Sequence, residues 1–319
     1  MKVLKRSSTG YKQCPTKYLD FTRFEKNCGD FVLIEGAFEQ AAQWDQFDLT
    51  EKELQKILKK KIVRLEFEEP NKFYIGDNTE KYDKYFYKIL TIDPYTAEWL
   101  NNKNNDKKRI PIYFPLNENH IPKKAIKIFD IIYTGHIVSN KLLNDLKTMT
   151  RYKYCFVSNS KSDLVTHQSV SYEDKLKLIS QSRITLVHNL QYPKIFHLFR
   201  LWFVPEYKDN KAFKNVPKWY EFWKWLSNKV VVPQLKSRLF EAAFGQSLIL
   251  CRRDPFNVIE NYFKPGKEFV YFEEGHLEEK IDEILQNYDY YQEIAMNAYK
   301  RAIKEYTTKA FAKNILSKI

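Results

Sequence analysis

The chain has 319 residues, 44% hydrophobic and 16% aromatic, which suits two medium domains with real cores. Charged residues make up 29%, and no apolar run approaches the ~20 residues that cross a bilayer, which argues against a membrane-spanning protein. The net charge is +13, but lysine is dispersed along the chain and no nucleic-acid motif accompanies it, so no nucleic-acid partner is expected.

The opening MKVLKRSSTGYKQ has no signal-type apolar core, and a cytoplasmic location is expected. In the first half, strands are predicted at Phe31–Gly36, Ile62–Phe67, Ile89–Ile92 and Ile110–Phe114. Helices are predicted between them at Leu49–Lys60, with Thr50 as N-cap, and at Pro94–Leu100. The polar run Asn101–Lys108 reads as a loop, and polar residues with Pro122 mark a domain boundary near 117–124.

The second half restarts the same alternation. Strands are predicted at Phe129–Thr134, Tyr154–Val157, Ile184–Val187, Ser247–Cys251 and Glu268–Phe272. Helices are predicted at Asn140–Met149, Tyr172–Ser180, Pro233–Phe244, Phe256–Phe263 and Leu277–Gln286, with further helices from Tyr290 to the end. The β-α-β order predicts an α/β fold with parallel sheets. The expected division is 1–120, 121–290 and closing helices 291–319. An aromatic insertion at 192–225, in which Trp202, Trp219, Trp223 and Trp225 alternate with Lys and Arg, reads either as a packed helical excursion or as a peripheral membrane, acceptor or partner surface.

The segment from Pro233 to Glu273 carries the sharpest chemistry. A helix N-terminus favours an anion, and Lys236 and Arg238 add charge where it opposes the helix dipole, so a bound phosphate would rationalise them. Glu241, one turn on, can accept two hydrogen bonds from a ribose diol. The plain alternative is an i,i+3 pair of Arg238 with Glu241.

In this segment Lys236, Arg238, Phe240, Glu241, Ala242 and Gly245 precede an apolar strand, and Phe263, Pro265, Gly266, Lys267 and Glu268 follow it. That order and spacing resemble the C-terminal domain of group 1-type nucleotide-sugar glycosyltransferases, in particular the branch related to spore-coat maturation proteins. The resemblance implies a GT-B fold, two Rossmann-like domains facing across a cleft. It implies a nucleotide-diphosphate sugar as co-substrate and a glycan, lipid-linked or protein-linked acceptor. It also implies that Glu241 holds the ribose, that Lys236 and Arg238 face the diphosphate, and that Gly135, His136 and Asn189 touch the donor. One departure stands out: the place eight residues before Glu241, a glutamate in many retaining relatives, is Pro233.

There is no Asp-x-Asp, no GxGxxG and no GxxxxGKS. The cysteines Cys14, Cys28, Cys155 and Cys251 lack CxxC spacing, and His120, His167, His197 and His276 lack metal spacing. Transfer without a metal cofactor is therefore expected, with Lys, Arg and a helix N-terminus on the leaving diphosphate. A catalytic base, if stereochemistry inverts, is expected from a strand end in the first domain; Glu35, before Gly36, is the candidate, ahead of Glu68, Glu69 and Asp93. The competing readings are a non-catalytic nucleotide-sugar or glycan binder, a nucleotide-sugar epimerase and a nucleic-acid-binding protein.

Overall fold

The computed structural model describes residues 3–4, 31–35, 61–66, 83, 86–193, 209–221, 223 and 230–319. The chain forms two compact units, one of residues 1–114, 192–234 and 312–319, the other of 115–191 and 235–311. The insertion expected within the second domain thus groups with the first unit. The predicted helix Leu49–Lys60 and the candidates Glu68 and Glu69 lie outside the described residues.

The first unit holds a five-stranded sheet in sequential order, β1 (Val3–Leu4), β2 (Phe31–Glu35), β3 (Lys61–Glu66), β4 (Lys88–Thr91) and β5 (Arg109–Pro111). Every neighbouring pair is parallel. Residues 62–66 are buried without a break, as in a strand covered on both faces. Arg64 and Glu66, two residues apart and so on one face, form a buried ion pair. After β4, Asp93 caps α1 (Pro94–Asn104) by accepting from Tyr95 N at 3.1 Å, and Pro94 fits the first turn.

The run read as a loop from Asn101 begins inside α1. The Asn101 amide donates to Arg109 O at 2.8 Å and accepts from Arg109 N at 2.9 Å, which pins the helix end to β5. The helix then stops at Asn105, whose φ of 50° is left-handed.

The second unit alternates strand and helix: β6 (Phe129–Thr134), α2 (Asn140–Met149), β7 (Tyr154–Val157), α3 (Tyr172–Ser180), β8 (Ser182–Val187) and the short β9 (Leu190–Gln191). Beyond β10 (Val232–Pro233), which belongs to the first unit, come α4 (Ser237–Phe244), β11 (Leu248–Arg252), β12 (Val270–Phe272), α5 (Leu277–Gln286), α6 (Tyr288–Glu305) and α7 (Thr308–Asn314). Ser139 caps α2 through Leu142 N at 3.1 Å, and Ser171 caps α3 through Asp174 N at 3.0 Å.

The sheet runs β12-β11-β8-β6-β7, all parallel. Numbered within the unit, that is the doubly wound order 2-1-3-4-5, whose direction of progress reverses between β6 and β8. Ile131, Tyr133, Leu146, Phe156, Ile184 and Leu250 form the core of this unit.

Two predicted helices differ from the structure. The one expected from Pro233 begins only at Ser237, because Pro233 lies in the extended β10. The one expected over Phe256–Phe263 is a single 3-10 turn, Val258–Asn261. Asp254 Oδ1 accepts from the N–H groups of Phe256 and Asn257 at 2.8 and 2.9 Å, and Asn257 sits at φ 52°. That local side-chain turn replaces a helical start.

Candidate functional site

In a doubly wound sheet the carboxyl ends of the strands beside the reversal form the natural ligand crevice. Here those ends are Thr134 of β6 and Val187 of β8. Gly135 and His136 follow the first, His188 and Asn189 the second. The topology therefore brings three of the sequence candidates, Gly135, His136 and Asn189, to one edge of the sheet.

Gly135 has φ 129°, a conformation that side chains strongly disfavour. A Cβ there would also stand 2.2 Å from Arg238 Nη2. The Arg238 guanidinium, delivered by the first turn of α4, lies 4.5 Å from the Tyr133 ring centroid. The Tyr133 hydroxyl donates to His136 O at 3.1 Å, and His136 Nδ1 is 3.2 Å from Ser160 Oγ. His136 itself is exposed.

Lys236 occupies the N-cap of α4 with extended backbone, φ −115° and ψ 140°, and makes no side-chain cap hydrogen bond. Two cations thus stand at a helix N-terminus whose partial charge is already positive, an arrangement that favours an anion. Glu241 is 3% exposed on the same helix. Its Oε1 is 2.9 Å from Lys175 Nζ, an ion pair with α3.

Asn189 is fully buried and its amide nitrogen points at Cys251 Sγ, 3.8 Å away. Its Oδ1 has no hydrogen-bond partner. His188, next to Asn189, is buried with Nε2 3.1 Å from Asp145 Oδ2 and its ring edge against Phe272. Neither ring nitrogen makes a hydrogen bond, so the approach to Asp145 is an electrostatic contact. Burial lowers its pKa below the usual 6.5, against the pull of Asp145 and with the help of Arg252 and Arg238. Asp145 also accepts from Arg252 Nη1 at 3.1 Å, and Arg252 reaches Glu274 at 2.9 Å, which pairs with Lys141 at 2.9 Å.

Sequence reasoning missed Tyr133, Ser160, Lys175 and the Asp145–Arg252 pair. The only trace was position: Tyr133 lies on the predicted β6, and Ser160 follows the predicted β7. Glu35 ends β2, in register with Leu65 of β3. Glu66 ends β3 as a buried carboxylate paired with Arg64. Asp93, the other described carboxylate among the base candidates, is the N-cap of α1. Among the described residues no group of three His, Cys, Asp or Glu side chains is placed to hold a metal ion.

A search of curated proteins by sequence finds no match. Solved structures match in fold. Anabaena HepE in complex with UDP aligns at 9% identity and TM-score 0.57, over 100% of this chain and 99% of that one. The same protein with UDP-glucose aligns at 10% identity and TM-score 0.54, over 99% and 98%. An S. aureus TarM variant in complex with fondaparinux, α-GlcNAc-glycerol and UDP aligns at 11% identity and TM-score 0.54, over 90% of this chain. The chain spans about half of the TarM length, 54%. These likenesses show the GT-B fold, here as two units with parallel sheets. A family model described as glycosyl transferase-like matches residues 138–317, more than half of the sequence. That span holds α4, Arg238 and Glu241, and the chain belongs to the glycosyl transferase-like family.

Proposed function

We propose that the protein transfers a sugar from a nucleoside-diphosphate sugar to a hydroxyl acceptor, with the donor held by the second unit. The observation that carries this reading is the seat of Arg238. Its guanidinium lies against Gly135 at the carboxyl end of β6, on a helix whose N-terminus also carries Lys236 and whose fifth residue is the buried Glu241. A diphosphate fits the cations and the helix N–H groups; a ribose diol fits the carboxylate. HepE and TarM structures contain UDP, which supports a UDP-sugar donor.

In this mechanism the bond from the anomeric carbon to the diphosphate oxygen breaks as the acceptor oxygen bonds to that carbon. Negative charge grows on the diphosphate, where Arg238, Lys236 and the α4 dipole stabilise it without a metal cofactor. If the stereochemistry inverts, the acceptor proton passes to a base, for which Glu35, at the end of β2, is our candidate. His136 and Asn189 are assigned to donor contacts, His136 from the loop after β6 and Asn189 through its buried amide.

For the acceptor we infer a glycan or a lipid- or protein-linked hydroxyl, taken by the first unit. That unit has a cavity of about 460 Å³ lined by Tyr95, Glu98, Trp99, Asn102, Lys103, Asp209 and Lys211, rings beside charged and hydrogen-bonding groups that suit a polar acceptor such as a sugar. We assign peripheral membrane contact to the 192–225 stretch, where Tyr220 and Trp223 are 47% and 55% exposed and Lys218 lies 5.7 Å from the Tyr220 ring centroid. Among the described residues no helix is long and apolar enough to cross a membrane. A cytoplasmic site of action fits the supply of nucleotide sugars.

The test is titration of the chain with UDP, GDP, ADP and CMP, followed by thermal unfolding. One of them should raise the unfolding temperature, and Arg238→Ala or Glu241→Ala should weaken that ligand by roughly tenfold or more, about 1.4 kcal/mol. Folded variants that bind like the parent would overturn the reading. A sugar nucleotide bound tightly but neither transferred nor hydrolysed would make the protein a binder instead.

A further inference from the structure

We propose that Lys175 is a positioning residue of the donor site, holding Glu241 in the orientation that takes the ribose hydroxyls; this rests on the donor-site reading above. Glu241 is 3% exposed on a helix whose neighbours Leu239, Phe240, Ala242 and Ala243 are buried as well. An ionised carboxylate in such a place needs a cation or strong donors to hold it. Lys175 supplies the cation, with Nζ 2.9 Å from Oε1.

Lys175 comes from α3, the crossover helix that leads into β8, and its side chain is 20% exposed against 4% for that of Glu241. Its ammonium also lies 4.6 Å from the Tyr172 ring centroid, one turn earlier on the same helix, which fixes the lysine arm. A carboxylate accepts about four hydrogen bonds, so an ammonium on one oxygen leaves capacity for a diol. Arg238 is committed elsewhere, at Gly135 and Tyr133. Lys175 therefore belongs to the ribose side of the site and Arg238 to the phosphate side.

A tie between two helices would by itself influence every ligand alike. A positioning role for Glu241 acts only on ligands that carry the diol. The experiment titrates the full chain with UDP and with 2′,3′-dideoxy-UDP and reads the ratio of the two affinities. The parent should prefer UDP on the order of tenfold, the scale of charge-assisted hydrogen bonds to one carboxylate. Lys175→Met should bring that ratio toward unity while dideoxy-UDP binds nearly as before, and Lys175→Arg should restore it. Lys175→Gln gives the same reading where the methionine variant folds poorly. A variant that keeps the parent ratio, or that loses both ligands equally, overturns the positioning role. A parent that binds none of UDP, GDP, ADP and CMP overturns the donor site itself, and one that binds UDP and its dideoxy form equally overturns the ribose assignment of Glu241.

Discussion

The Arg238 guanidinium fills the space that a side chain at Gly135 would need: a Cβ there would meet Nη2 at 2.2 Å. Glycine is demanded twice, by this approach and by its φ of 129°. Gly135→Ala should cost about 1–3 kcal/mol in strain and displace Arg238. Thermal unfolding and nucleotide titration check both parts. Because the two residues act through one contact, Gly135→Ala should weaken nucleotide binding far less when Arg238 is already alanine.

The buried and exposed arginine pairs of the second unit should behave differently. Arg252 and Asp145 are 5% and 10% exposed at the side chain, so Arg252→Met strands a buried carboxylate that His188 alone then faces. The loss should be about 3 kcal/mol. Arg151 pairs with Glu278 on the surface, at 65% and 43% exposure, and Arg151→Ala should leave stability nearly unchanged. Urea unfolding of the two variants measures the contrast.

Lys127 ties three segments at the amino end of the second sheet. Its ammonium donates to Ser180 O and Ser182 O at 2.9 Å and to Gln246 O at 2.8 Å. Lys127→Met removes the donor and leaves the carbonyls to find water. A loss of about 1–3 kcal/mol is expected, without a specific effect on nucleotide affinity measured below the unfolding temperature.

His188 makes stability depend on acid pH. Burial keeps its folded pKa below the usual 6.5, while Asp145 faces it and Arg252 and Arg238 add positive charge nearby. Below about pH 6.5 the unfolded chain binds a proton that the folded chain refuses, so the stabilisation present above that pH is lost as pH falls. His188→Gln keeps a polar group facing Asp145 but does not titrate. The stability gap between parent and variant should therefore shrink or reverse between pH 7.5 and 5.5; a gap that does not change with pH would count against the assignment.

Local pattern was enough for much of the fold. β6, α2, β7, α3 and α5 stand where their apolar spacing and caps put them, since a Ser N-cap and a run of buried β-branched residues act within a few residues of themselves. The late start of α4 was less legible because Pro233 suits a first helical turn and an extended strand equally well. The missing helix after β11 followed from Asp254, whose side chain competes for the same N–H groups.

The sequence by itself determined which chemistry is carried on one short stretch: Lys236, Arg238 and Glu241 are neighbours along a helix, and their spacing is written in the chain. Only the tertiary structure decided what each one meets. Lys175 stands 66 residues from Glu241, and Gly135 more than a hundred from Arg238. Such pairs form when parallel strands, which must be joined by long crossovers, bring distant segments to the same end of a sheet. Periodicity reports a residue's neighbours within a helix or strand; strand order decides its neighbours across the sheet.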